Sequence, residues 1–168
     1  MAIMVLMDDA LDALAGVIET SLAAKLVAIN DRWGLVGAAR AEAPAAFYRS
    51  EQLAFPRTPA VLVIAGDTDN LDGDADPASI VNLIEVGVSI SGNDPAILSR
   101  QIRVYVHAIN ELIAEDRSLG NRCVFAIVTN DGYGRVGSEG SMLFQEASIA
   151  VSVFASEPQR VMSSAFGF

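Results

Sequence analysis

Five aspartates crowd the stretch DTDNLDGDAD, residues 67–76, and carboxylates at that density raise the question of a metal ion. A calcium hand needs acids at loop positions one, three and five, glycine at six and glutamate at twelve. Counted from Asp67, position three is Asp69, but five is Leu71, six is Asp72 and twelve is Ala78. Other starting points fail as well. What remains is adventitious divalent binding by carboxylates sharing a short loop, with Asp67, Asp69, Asp72, Asp74 and Asp76 as weak candidates. The plainer reading is a solvated hairpin tip, kept polar by turn chemistry.

Three other stretches could carry chemistry. GYGRVG, residues 132–137, fits the glycine spacing of a dinucleotide loop. That loop must open a helix within a strand–helix–strand unit, and here the sequence heads into a strand instead. A kinase-type glycine loop needs a lysine on a following strand, and the only lysine is Lys25. His107 is the only histidine and falls on the polar side of a helix, between Arg103 and Glu111. No G-x-S-x-G elbow supplies it with a nucleophile. Cys123 opens an apolar run and reads as a small buried side chain. No acid–base pair stands out, so neither catalysis nor a cofactor is expected.

Composition narrows the classes further. Hydrophobic residues make up 52% of 168, enough for one domain with a substantial core. No apolar run reaches the ~18 residues of a membrane span. The start, MAIMVLMDDA, lacks the basic region of a secretory signal. A single cysteine forbids an internal disulfide and points to a reducing compartment. The formal charge of −10 leaves no basic stripe for gripping nucleic acid.

The elements that must position these residues follow from periodicity. Asp9 is placed to cap a helix over 9–30 with Leu11, Leu14, Ile18, Leu22, Leu26 and Ile29 in one stripe. Asn30 and Gly34 read as its stop. Residues 34–59 form an arm with one or two short extended pieces, since Pro56 and Pro59 forbid a long helix. AVLVIAG (60–66) and SIVNLIEVGVSISG (79–92) read as a hairpin with the aspartates at its tip. The helix over 94–116 is the clearest element. Asn93 or Asp94 caps it and Pro95 opens its first turn. Its stripe is Leu98, Ile102, Tyr105, Ile109 and Leu112, widened by Val106 and Ile113. CVFAIVT (123–129) is a strand, 130–140 a glycine-rich loop, and 143–157 ends as a strand stopped by Pro158. This order suggests an α+β fold, with an antiparallel sheet of about four strands packed by two main helices and an extended arm. A single domain covers 1–157, and 158–168 is an apolar tail expected to dock on something. Without a catalytic cluster, the residues describe an interaction protein.

The order of elements resembles the tail terminator, or tail completion (gpU-like), proteins of long-tailed bacteriophages. The resemblance lies in the amphipathic helix 9–30, the proline-flanked strand FPRTPAVLVIAG, the long strand IVNLIEVGVSISG, the helix 94–116 and the closing strands ending ASIAVSVFAS. It covers about residues 5 to 157 and rests on pattern rather than on a signature motif. The alanine-rich arm and the segment 158–168 depart from the family's usual length. The resemblance implies a virion protein, assembled in the host cytoplasm, that closes into a six-membered ring at the head-proximal end of the tail. Such a ring stops tube growth, touches the tail tube protein and the head–tail connector, and lets genome DNA pass without tight binding. No membrane is involved. Carboxylates lining a lumen would repel phosphate. The polar face of the helix 94–116, with Arg100, Arg103 and His107, is the expected ring contact. The other readings are a different neck or tail-tube adaptor, or a cellular α+β ligand-binding module with a calcium-sensitive acidic loop.

Overall fold

The computed structural model describes residues 7–52, 57–70 and 80–154. The backbone runs through α1 (Met7–Arg32), a single 3-10 turn (Gly37–Ala39), β1 (Ala46–Tyr48), β2 (Ala60–Asn70) and β3 (Ile80–Gly92). It continues through α2 (Pro95–Glu115), β4 (Phe125–Tyr133), β5 (Gly137–Glu139) and β6 (Met142–Phe154). The sheet order is β1-β2-β3-β6-β4, with β5 also pairing β6. The class is α+β, but the sheet is not antiparallel throughout and has more than four strands. β1 lies parallel to β2, with Phe47 opposite Val61, while all other pairs are antiparallel. The arm therefore supplies a strand of its own, anchored where Ala45 N–H donates to Pro59 O at 2.7 Å.

One face of the sheet carries the core. Val61, Val63, Ile84, Val86, Val88, Ile90, Ile149, Val151 and Val153 alternate toward the helices, as period-two side chains must. α1 lies against β2 and β3, and α2 against β3, β6 and β4. α2 follows its sequence closely. Asp94 caps it, accepting from Ala96 N–H at 2.9 Å, and every residue of the expected stripe is buried. Val104 and Ala108 are buried too, because they face α1. Tyr105 is fully buried and donates its hydroxyl to Glu42 O in the arm. Burial pushes that phenol's pKa far upward, with Glu42 adding to the shift.

α1 is longer than expected. Asp8 and Asp9 lie within its first turn, where carboxylates favour the helix dipole, so Asp9 is not the cap. Asn30 is not the stop either. It is buried inside the helix, and the chain breaks at Gly34, whose φ of +66° suits glycine. Leu35 N–H closes the end on Asn30 O at 2.9 Å.

The hairpin pairing of β2 and β3 holds, yet β2 continues through Asp67 and Asp69 to Asn70. A bulge between Ala65 and Thr68 makes this extension. Gly66 sits in the bulge because a Cβ there would lie 2.7 Å from Leu83 O. β4 starts later than expected, at Phe125, and runs on through Asn130, Asp131 and Gly132, helped by a second bulge between Val128 and Asn130. Cys123 therefore precedes the strand. The expected loop 130–140 also contains β5, which turns back at Gly140 with φ +63°. The tail 158–168 lies outside the described residues, as does Pro158.

Candidate functional site

His107 is built into the seam between the helices. α1 and α2 run antiparallel, and Glu111 on α2 collects the cations of α1: Arg32 binds it directly and Lys25 lies 3.6 Å away. Lys25 also meets Glu115 at 2.6 Å. His107 Nε2 stands 3.2 Å from Glu111 Oε1, one turn away, and its ring lies 5.2 Å from Trp33. The hydrogen bond from Arg32 holds the Glu111 carboxyl below its usual pKa, aided by the charges of Arg32, His107 and Lys25. This arrangement fastens one helix to the other, and the described partners of the imidazole are Glu111 and Trp33.

Cys123 is equally quiet. Its thiol is buried and points to Arg117 O at 3.5 Å. Burial, with a smaller contribution from Asp116, pushes the thiol up to about 11, so the thiolate is scarce near neutral pH.

The acidic stretch is divided. Asp67 is exposed on β2 and Asp69 has its backbone in the same strand. Asp72, Asp74 and Asp76 lie outside the described residues. Among the described residues no group of three His, Cys, Asp or Glu side chains could hold a metal ion. GYGRVG joins two strands on one edge. Gly132 and Tyr133 end β4, Gly134 N–H donates to Glu146 O at 2.8 Å, and Gly137 begins β5. Among the described residues strands rather than a helix follow the glycines.

The surfaces are more informative than any cluster. Among the described residues both helices pack on one face of the sheet, and none covers the other. A row of one leucine and three small residues crosses that outer face: Leu62 on β2, Gly87 on β3, Ser148 on β6 and Gly132 on β4 stand side by side. They form the floor of a groove of about 390 Å³, bordered by Glu85 and Glu146. Ser148 Oγ donates to Glu85 Oε1 at 2.9 Å. Toward the end of β6 the outer face turns apolar. Leu83, Phe125 and Ile127 are exposed, and Phe125 stacks on Phe154 at 4.3 Å.

On the helix side, Arg100 and Arg103 are exposed and form no salt bridge or side-chain hydrogen bond among the described residues. By contrast, Lys25, Arg32, Arg40 and Arg49 are all paired with acids inside the chain. Arg103 is close enough to Tyr133 to oppose the upward pKa shift that burial and Asp131 impose on that phenol. Among the described residues, β4 and β5 form one lateral border of the sheet with no further strand beside them.

The sequence located the arginines and His107 but not Glu85, Glu146 or the groove. Glycine and serine at alternating outward positions were the available signal, and only the strand register aligns them. No protein-family model matches the chain, and no curated protein matches it either.

Proposed function

We propose that this chain is a non-catalytic structural subunit of a closed homo-oligomeric ring. On the resemblance to tail terminators, we assign that ring to the head-proximal end of a phage tail. There it ends tube growth and meets the head connector, with the tail tube protein on its other side. The supporting observation is the two-sided surface of the subunit. Among the described residues, one layer offers Arg100 and Arg103 with no salt bridge or side-chain hydrogen bond, and the opposite layer offers a sheet face that neither helix covers, with Glu85 and Glu146 on it. Unlike patches that complement each other make heterologous contacts, and these close into rings when the rotation allows.

The charge of the chain supports the same reading. Acids outnumber lysines and arginines by 21 to 11, so copies repel unless positive charge is brought to the joint. The same excess lets a DNA duplex pass through a lumen without adhering. Electron microscopy of the purified chain tests the proposal. Annular particles with a central opening wide enough for duplex DNA are the expected result. A uniform field of single subunits at high concentration would remove the basis for it.

A further inference from the structure

We infer that the groove floored by Gly87, Ser148 and Gly132 receives the α2 ridge of a second copy, with Arg100 and Arg103 meeting Glu85 and Glu146. This rests on the ring reading and specifies its joint.

The geometry is favourable. Glu146 stands opposite Ser89 on β3, four residues along from Glu85. At the rise and strand spacing of a sheet, the two carboxylate stems are roughly 14 Å apart. Between them the floor is low and partly apolar: the Leu62 side chain lies flat over Gly87, where a Cβ would come within 2.8 Å of Leu62 Cδ1. Gly132 leaves open space above itself, with nothing within 4 Å of the place a Cβ would occupy.

A ridge fits such a trough. Arg100 and Arg103 are three residues apart on α2, so their stems rise about 5–6 Å from each other on one side of the helix. Their long side chains diverge, and one guanidinium can reach each wall. Arginine suits this contact because its fork binds a carboxylate through two parallel hydrogen bonds. Glu146 has no side-chain hydrogen bond among the described residues, and Glu85 accepts only from Ser148. Both retain acceptor capacity. The donors sit on the helix layer and the acceptors on the opposite face of the sheet. No copy can therefore satisfy its own arginines this way, and the contact runs front to back from copy to copy.

Cross-linking tests this directly. The variant Arg103→Cys with Glu146→Cys is treated with a short bismaleimide, since an arginine–glutamate contact holds Cα atoms farther apart than a disulfide spans. Cys123 is buried and its raised pKa keeps it slow to react. The double variant is expected to give a covalent ladder that stops at the ring size, and each single variant only monomer. Gly132→Val, which fills the groove without touching its own fold, is expected to abolish assembly with a native circular dichroism spectrum. Glu146→Arg combined with Arg103→Glu is expected to restore the assembly that either change removes. If wild type assembles while the double cysteine variant gives no ladder and Gly132→Val assembles normally, this joint is wrong and the ring stands. If wild type is monomeric at every concentration, the ring reading and this joint fall together.

Discussion

Asn30 and Ala41 exchange two hydrogen bonds of 2.9 Å each, side-chain amide to backbone, under the arm. Asn30 is only 1% exposed, so these bonds are out of water. The asparagine mimics a strand partner for Ala41 and fixes the arm to the end of α1. Asn30→Ala would leave both polar groups of Ala41 without a partner. We expect a loss of about 1–3 kcal/mol in urea unfolding. Asn30→Asp keeps the acceptor but sets a buried carboxylate oxygen against Ala41 O, so at neutral pH it should destabilise at least as much as alanine. No change in the alanine variant would mean that water replaces the side chain freely.

Ile102 and Ile109 are both fully buried between α2 and the sheet. Truncating either to alanine removes contacts and leaves a cavity that the neighbours fill only in part. The expected cost is about 2–5 kcal/mol for each, measured by chemical denaturation. A cost below about half a kcal/mol would contradict the packing described for this helix face.

Glu111 makes the seam sensitive to acid. Its carboxyl has a folded pKa below the ordinary value of 4.5, mainly through the Arg32 hydrogen bond. A lowered carboxylate pKa contributes stability that is present above the unfolded value. That stability is lost as pH falls through the folded one. Between pH 5 and pH 3 the wild-type melting temperature should therefore fall more steeply than that of Glu111→Gln. The pair is solvent-exposed, so the difference should be small and should shrink in high salt. Parallel curves would show that the ion pair does not persist in solution.

The acidic stretch gives a separate expectation, because its ligand spacing fails. Asp69→Asn together with Asp72→Asn should leave the melting temperature nearly unchanged, with or without chelator. A fall of many degrees when wild type is chelated would establish a structural metal there.

Much of the architecture could be read from local pattern. α2 was legible because Asp94, Pro95 and the spacing of Leu98, Ile102 and Ile109 all agree. α1 was legible in its stripe but not in its end. Asn30 looks like a stop in sequence, and only the arm's backbone explains a buried asparagine there. β1 was legible only as one of the arm's short extended pieces, without its place, since Ala46, Phe47 and Tyr48 pair because β2 lies beside them. β4 was cut short at Thr129 because Asn130, Asp131 and Gly132 favour turns. On a sheet border a bulge accommodates them. The groove was invisible for the same physical reason: Leu62, Gly87, Ser148 and Gly132 come from four strands, and their alignment is a property of register.

Native mass spectrometry of the wild-type chain tests the central claim most directly. The account predicts one dominant closed species, a fixed multiple of the 17.7 kDa subunit with six copies expected from the family resemblance, dissociating when Arg100→Glu and Arg103→Glu are combined. A chain that stays monomeric across concentration and salt, or forms an open-ended series of masses without a preferred stop, would contradict it.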